Sequence, residues 1–151
     1  MTDEYFMQQA IKEAHKALDA DEVPIGAVIV MHDKIIARGY NQVETLNDST
    51  AHAEIIALTS AFNFLGSKYL PGATLFATIE PCTMCCGALY WSKIGRLVYG
   101  SADPKHGGLS ALHGNDVIKK NPLHPKTEIV INICADECVQ LMKDFFKNKR
   151  K

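Results

Sequence analysis

Residues 79–91, IEPCTMCCGALYW, place three cysteines within five positions, at Cys82, Cys85 and Cys86. Pro81 stands where an apolar run ends, so the segment predicts a strand before the proline and a short helix that begins at the cysteines. Residues three apart on a helix share a face, which places the thiols of Cys82 and Cys85 side by side. Cys86 lies about 100° around the same helix from Cys85. Two of the three thiols are therefore arranged to act together.

The chain around this segment alternates between helical and extended patterns. Apolar residues at helical spacing predict a first helix, Asp3–Asp19, and a later helix over residues 51–66 that stops at Gly66. We expect the later helix to bury a face made of Ala53, Ile56, Ala57, Ser60 and Phe64. The cysteine-rich helix is expected to end at Gly95, and a closing helix covers residues 135–149.

Five extended segments accompany these helices, at residues 25–31, 34–40, 73–79, 96–101 and 127–133. An HD turn joins the first two as a hairpin. The order α-β-β-α-β-α-β-β-α predicts a single α/β domain over residues 1–151, with three α-β-α layers and a five-stranded mixed sheet between helices on both faces. A loop rich in glycine, proline and histidine, residues 103–126, is long enough to be functional.

The composition is that of a globular domain, with 47% hydrophobic and 22% charged residues among 151. No apolar run reaches the roughly 20 residues of a membrane helix, and the first residues lack the basic and apolar regions of a signal peptide. We therefore expect a cytoplasmic protein with no membrane segment, whose cysteines serve metal binding, catalysis or packing rather than disulfides. The net charge of −1 argues against a large nucleic-acid footprint. The tail KDFFKNKRK, residues 143–151, is locally basic, and a solvated helix end is its simplest interpretation.

A second motif, TAHAE, lies at residues 50–54, well before the cysteines. His52 opens the predicted helix, and Glu54 follows two positions later. One imidazole and two thiolates, from His52, Cys82 and Cys85, suit tetrahedral zinc and leave the fourth position to water. A carboxylate beside zinc-bound water is a natural proton carrier, which is the role that we expect for Glu54.

Other interpretations of the cysteines remain open on the residues alone. A PCxxC motif by itself is also typical of a redox pair or of half a structural zinc site. A structural site needs a fourth ligand, and the candidates are His106, His113, His124 and Cys86. A metal-free, packed cluster is a further alternative, since free cysteine behaves as a small hydrophobe. The joint pattern of HxE and PCxxC favours a catalytic zinc, because it is the signature of zinc-dependent nucleobase deaminases.

On these motifs the chain resembles the zinc-dependent cytidine-deaminase superfamily and, within it, the bacterial tRNA-specific adenosine deaminases. The similar segments are VPIGAVIV, GYN, STAHAEIIAL, ATLFATIEPCTMCCGAL, KIGRLVYGSADPK and ADECVQLMKDFFKNKRK. The resemblance implies conversion of the wobble adenosine of the tRNA anticodon stem-loop to inosine. Hydroxide on one zinc ion per subunit would attack carbon 6, Glu54 would carry the proton to the ring nitrogen, and ammonia would leave. It also implies a cytidine-deaminase-like sheet whose last two strands are parallel, and a homodimer that contributes to each RNA site.

The same resemblance assigns further residues to the substrate. Asn41 matches an asparagine that hydrogen-bonds the flipped base, although a turn residue that ends the hairpin is the structural alternative. Asp103 and Lys105 match loop positions near the ribose and the phosphates, although solvated loop residues are the structural alternative. In the basic tail, we expect RNA contacts from Lys147, Lys149, Arg150 and Lys151.

Two other classes of function are compatible with these motifs. The first is a deaminase of free bases or nucleosides, guanine or cytidine, because LYW at residues 89–91 resembles guanine deaminases. We nevertheless expect those aromatic residues to belong to the core. The second is a non-catalytic zinc protein that only binds RNA. Glu54 discriminates against it, because a structural site has no use for a carboxylate beside an open metal position.

Overall fold

A computed structural model describes residues 1–110 and 121–149 of the chain. Its helices and strands follow in the order α1 (Asp3–Asp19), β1 (Gly26–Met31), β2 (Lys34–Tyr40), α2 (Val43–Leu46), α3 (Ala53–Leu65), β3 (Thr74–Ile79), α4 (Thr83–Ser92), β4 (Arg96–Ser101), β5 (Glu128–Val130) and α5 (Ala135–Lys149). This order confirms the predicted one. The only addition in the described part is α2, a single turn within a polar stretch that has no helical periodicity.

The five strands form one mixed sheet in the order β2-β1-β3-β4-β5. Strand β1 is antiparallel to both β2 and β3, whereas β3, β4 and β5 are parallel to one another. The carboxyl ends of β3 and β4 therefore meet at one edge of the sheet, and the Glu80 amide donates to the Ser101 carbonyl across them at 2.8 Å. Ligand sites form at this edge in open α/β sheets.

Two hydrophobic clusters lie on the two faces of the sheet. Alternating residues of β1 divide between them, with Ala27 and Ile29 in one cluster and Val28 and Val30 in the other. The first cluster includes buried residues of α3 and α4, and the second includes those of α1 and α5. The predicted three-layer α-β-α architecture is confirmed.

Helix α3 packs against the sheet at very short range because β2 has a glycine beneath it. A Cβ atom on Gly39 would lie 2.4 Å from the Ala53 carbonyl oxygen and 2.8 Å from the Ala57 amide nitrogen. No side chain fits there without moving the helix. Gly39 thus fixes the distance between the sheet and the first turn of α3, where the HxE motif lies.

Two predicted boundaries are wrong in detail. Helix α4 ends at Ser92, and Lys93 adopts the left-handed conformation with φ of 54° in place of the expected Gly95. Gly95 is needed for a different reason, since a Cβ there would lie 2.2 Å from the Pro71 carbonyl oxygen. Strand β5 pairs over three residues only, and Asn132 has a φ of 66°, which is incompatible with an extended strand.

The outer surface of α3 and α4 also differs from expectation. Ser60 is exposed and Phe64 is 68% exposed, because α3 buries Glu54, Leu58 and Ala61 beside Ala53 and Ala57 instead. On α4, Leu89 is buried as expected, but Tyr90 is 40% and Trp91 is 73% exposed. Three aromatic side chains therefore point outward from this layer.

No helix in the described part of the chain combines the length and the apolar character that a bilayer crossing requires. That the whole chain forms one domain stays a prediction, because residues 111–120 and 150–151 lie outside the described part.

Candidate active site

His52, Cys82 and Cys85 converge at the carboxyl edge of the parallel strands. His52 is the N-cap residue of α3, Cys82 is the N-cap residue of α4, and Cys85 lies in the first turn of α4. The His52 Nδ1 atom lies 3.5 Å from the Cys82 Sγ and 3.6 Å from the Cys85 Sγ. All three candidate ligand atoms lie within 4.8 Å of one another.

This geometry fits zinc. With zinc–sulfur and zinc–nitrogen bonds of about 2.3 and 2.0–2.1 Å, a tetrahedral ion separates its sulfur and nitrogen ligands by about 3.6 Å. The two sulfur–nitrogen distances agree with that value. Both cysteines belong to the N-terminal turn of α4, and helix N-termini favour negative charge.

Nothing in residues 1–110 and 121–149 adds a fourth protein ligand to the cluster. The Cys86 thiol is buried and donates instead to the Pro81 carbonyl, 3.6 Å away. His106 and His124 do not join the cluster, and His113 lies outside the described residues. Three ligands with an open fourth position are typical of a catalytic rather than a structural zinc site.

The Cys82 and Cys85 sulfurs are joined by a hydrogen bond that shifts the pKa of both groups. The Cys85 thiol donates to Cys82, and with the His52 ring it lowers the pKa of Cys82 to about 4, although burial opposes the shift. The same hydrogen bond, together with burial, raises the pKa of Cys85. The pKa of His52 is raised by its hydrogen bond to Cys82, against the effect of burial. Binding of a dication would displace the proton that the two sulfurs hold between them.

Glu54 lies in the first turn of α3 and is 4% exposed. Burial disfavours its carboxylate form and raises its pKa to about 7, against the opposing effects of its own backbone amide and of His52. A carboxyl group with a pKa near neutrality can both accept and donate a proton at physiological pH.

A cleft of about 1290 Å³ opens beside the cluster, bounded by the loops after β2, β3 and β4 and by α5. The predicted site residues that line it are Asn41, His52, Glu54, Cys82, Asp103, Lys105 and Lys149. Cys85 is fully buried beneath it. Lys147 is exposed and does not line the cleft, and Arg150 and Lys151 lie outside the described residues. Lys143 lines the cleft as well.

The side chain of Asn41 is held in one orientation. Its Nδ2 donates to the Val23 carbonyl at 3.3 Å, and its Oδ1 accepts from the Val43 amide at 3.2 Å. The side chain thus closes the turn after the hairpin, as the structural alternative expects. An amide has two donors and two acceptor positions, so one of each remains for a ligand in the cleft.

Asp103 shapes the loop that follows β4. Its Oδ1 accepts from the Lys105 amide at 3.1 Å and from the His106 amide at 3.0 Å. Oδ2 has no hydrogen-bond partner among the residues that the structure describes. The Lys105 side chain is exposed at the rim of the cleft.

The end of α5 is much more exposed than the metal cluster. Lys149 forms an ion pair of 2.8 Å with Asp21, but the two side chains are 49% and 76% exposed. An ion pair of that kind contributes little, about 0–1 kcal/mol. Lys143 and Lys147 form no ion pair within residues 1–110 and 121–149.

Residues 1–101 match the family model of the cytidine and deoxycytidylate deaminase zinc-binding region. The chain belongs to this deaminase family. A tRNA-specific adenosine deaminase of Bacillus subtilis (strain 168) is 43% identical over 99% of this chain and 91% of its own length.

Two solved structures with about 40% sequence identity resemble this deaminase. One comes from studies of A-to-I editing by tRNA:A34 deaminases at the wobble position of transfer RNA. It is 41% identical, with a TM-score of 0.81, over 91% of this chain and 98% of that one. The guanine deaminase of Bacillus subtilis is 40% identical with a TM-score of 0.65, but the match covers only 68% of this chain and 66% of that one. The expected cytidine-deaminase-like fold is confirmed.

Sequence reasoning about this deaminase missed two buried carboxylates that line the cleft, Glu22 and Glu80. Glu22 accepts hydrogen bonds from the Glu44 and Thr45 amides at 3.0 and 2.6 Å, which holds the start of α2. Glu80 holds the loop after β4. The one signal in the sequence is that Glu80 interrupts the apolar run of β3 immediately before Pro81.

Proposed function

We propose that this protein is a hydrolytic deaminase that converts the wobble adenosine of a tRNA anticodon loop to inosine. The observation that carries the proposal is the His52, Cys82 and Cys85 cluster with Glu54 in the same cleft. This combination of ligands with a carboxyl group that is not a ligand is the arrangement of nucleobase deaminases. The likeness to tRNA deaminases over almost the whole chain supports an RNA substrate.

His52, Cys82 and Cys85 would hold one zinc ion per subunit, which when bound activates water for attack on the amidine carbon of adenine. Glu54 would accept one proton from the attacking water and deliver it to the ring nitrogen, and would then move the remaining proton of the former water to the departing amine. Burial raises the pKa of the Glu54 carboxyl group to about 7, which suits a group that takes up and releases protons within one turnover. The products are inosine and ammonia.

Asn41 is proposed to orient the flipped base with its remaining amide donor and acceptor. Asp103 and Lys105 lie at the rim of the same cleft and would meet the ribose and the phosphates. An unpaired loop nucleotide can enter such a cleft at modest cost, because it is not held in a duplex. The lysines of α5 and the tail residues Arg150 and Lys151 would bind phosphates farther from the reacting base.

The homodimer and the cytoplasmic location are part of the proposal. Phe64, Tyr90 and Trp91 expose large apolar surfaces on α3 and α4, as residues of a subunit interface do in an isolated subunit. We expect a second copy of the chain to cover these apolar surfaces. A cytoplasmic location agrees with a tRNA substrate and with five cysteines that form no disulfide.

Deamination of free guanine is the second candidate, favoured by the 40% identity to a guanine deaminase over part of the chain. The alternative predicts the same metal cluster and the same role for Glu54. It assigns no function to the basic end of α5, which the tRNA proposal uses.

The two candidates are separated by assaying one zinc-loaded preparation on an anticodon stem-loop with adenosine at the wobble position, on free guanine and on free cytidine. We expect inosine in the stem-loop alone, and no product from a stem-loop with guanosine at that position. Turnover of guanine with an unreacted stem-loop would replace the proposal by the second candidate. Stem-loop binding without any turnover, in protein with full zinc, would point to an RNA-binding zinc protein instead.

A further inference from the structure

Glu80 is a buried carboxylate, 3% exposed, between the end of β3 and the metal-binding segment. Its Oε1 accepts from the Asp103 amide at 3.0 Å and from the Ser110 hydroxyl at 2.5 Å. Its Oε2 accepts from the amides of Leu109 and Ser110 at 2.8 and 2.7 Å. All four donors belong to one loop, residues 103–110, which we call the rim loop.

The rim loop is built around this carboxylate. No lysine, arginine or histidine in residues 1–110 and 121–149 forms an ion pair with Glu80. In the described part of the loop, backbone amides and one hydroxyl group donate hydrogen bonds to its carboxylate instead. A Cβ on Gly107 would lie 2.2 Å from the Glu80 carboxyl carbon. The loop therefore passes so close that a side chain at residue 107 would displace the Glu80 carboxyl group, and charge-assisted hydrogen bonds fix the loop there.

The rim loop is also attached directly to the metal-binding segment. The Gly108 amide donates to the Pro81 carbonyl at 2.8 Å, and Gly107 pairs with Cys82 as an isolated β-bridge. Glu80, Pro81 and Cys82 are consecutive, so the backbone that carries a metal ligand also carries the carboxylate that holds the loop. The loop in turn carries Asp103 and Lys105 at the edge of the cleft.

We propose that Glu80 is a positioning residue, which sets the distance between the rim loop and the metal cluster and thereby the place where substrate RNA is gripped relative to the reacting base. This inference rests on the proposed function. Glu80 acts through the loop and makes no contact with the reacting atoms. Its loss should weaken substrate binding and leave the chemical step in place.

The variant Glu80→Gln keeps the shape of the side chain but removes its charge and one acceptor. The Ser110 hydroxyl can turn to accept from the new amide, whereas a backbone amide cannot. Ser110→Ala is a milder second variant, which removes one donor and leaves Glu80 unchanged. Glu13→Gln is the matched control, since Glu13 is 2% exposed and pairs with Lys16 and Arg38 away from the cleft.

Each variant is measured for zinc content, for kcat and KM on the anticodon stem-loop, and for amide hydrogen exchange in peptides that cover the rim loop. For Glu80→Gln we expect full zinc content, a KM raised about tenfold, a kcat within about twofold, and faster exchange in the rim loop. Ser110→Ala should change KM and exchange in the same direction by about threefold. Glu13→Gln should change neither.

An unchanged KM, an unchanged exchange rate in the rim loop, or a loss of activity that follows loss of zinc would overturn the proposal. If Glu80→Gln does not fold, Ser110→Ala decides by the same criteria. Failure of the wild type to deaminate the stem-loop would reject the proposed function alone. The exchange rates, and the KM for whichever substrate is turned over, would still decide the role of Glu80.

Discussion

The two ends of the cleft are built in opposite ways. At the metal end, Glu54 and Cys85 are 4% and 0% exposed, and each lies in the first turn of a helix whose N-cap is a proposed metal ligand. At the α5 end, Lys143 and Lys149 are exposed, and the ion pair between Lys149 and Asp21 is solvated. Buried groups in fixed positions can stabilise a transition state, because they need no reorganisation during the reaction. Exposed lysines on a helix surface can attract RNA without defining the position of any one atom.

This difference predicts a division of effects. Substitutions of Glu54 should change the rate of the chemical step at constant RNA affinity, whereas Glu80 acts through the rim loop and is expected to affect binding. Substitutions at the α5 end should change affinity and its salt dependence at constant rate. The division fails if either kind of substitution produces the other kind of effect.

The largest effect is expected for Glu54→Gln, which keeps the side-chain volume but cannot carry a proton. General acid–base catalysis contributes about 10²–10⁴-fold, so kcat on the stem-loop should fall by that factor. Zinc content and stem-loop affinity should remain those of the wild type. Single-turnover kinetics with zinc analysis make the measurement, and Glu13→Gln is the control for a buried glutamate.

A kcat within about threefold of the wild type would remove Glu54 from the proposed chemistry. A weaker RNA affinity in Glu54→Gln would contradict the expected separation of rate effects from affinity effects, since it would show that the buried carboxyl group also contributes to RNA binding.

The next largest effect is expected where α3, which carries His52 and Glu54, packs on Gly39 of the sheet. In Gly39→Ala the new methyl group would lie 2.4 Å from the Ala53 carbonyl oxygen, so α3 must move away from the sheet. Overpacking of this kind costs about 1–3 kcal/mol of unfolding free energy. Because His52 and Glu54 move with α3, zinc affinity should fall as well. Gly66→Ala is not a suitable control, since Gly66 has a φ of 62°.

Gly87→Ala is the matched control for this prediction, because in residues 1–110 and 121–149 nothing beyond the surrounding turns of α4 lies within 4 Å of a Cβ at Gly87, which is in the middle of that helix. Alanine is the better helix former by roughly 1 kcal/mol, so this variant should be neutral or more stable. Denaturant unfolding and a zinc competition titration test both variants. Wild-type stability in Gly39→Ala would show that α3 is not fixed by this contact.

The metal end could be predicted from the sequence because its features are local. HxE and PCxxC each place their side chains within one helix start, and the strand order brings the two starts to the same edge of the sheet. The element order and the bounds of α1 and α5 follow from hydrophobic periodicity in the same way. Such patterns depend on neighbours a few residues apart.

What could not be predicted depends on distant partners. The role of Glu80 comes from donors 23 to 30 residues away, and Gly95 is required by the approach of Pro71 rather than by a helix end. Phe64 follows a helical apolar pattern and Trp91 is an aromatic residue expected in the core, but the fold leaves both exposed. For Glu80 and Gly95, the residue type is explained only by what the fold brings beside it.

The smallest effect is expected at the α5 end. Replacement of Lys143, Lys147 and Lys149 by alanine should weaken stem-loop binding about tenfold at moderate salt and reduce the salt slope by about 2, since each phosphate contact on single-stranded RNA contributes about 0.7. The kcat should not change. Lys12, Lys34 and Lys126, exposed lysines that do not line the cleft, are replaced in the control with the same change of charge.

Single variants sharpen this comparison further. Lys143 lines the cleft and forms no ion pair in the described part of the chain, so its ammonium group is available to RNA. Lys149 lines the cleft but must first leave Asp21, and Lys147 lies away from the cleft. The loss of affinity should therefore be largest for Lys143→Ala, as titrations with each single variant would show. An equal loss for all three, matched by the control lysines, would mean that the α5 end acts through net charge alone and has no defined contact with the RNA.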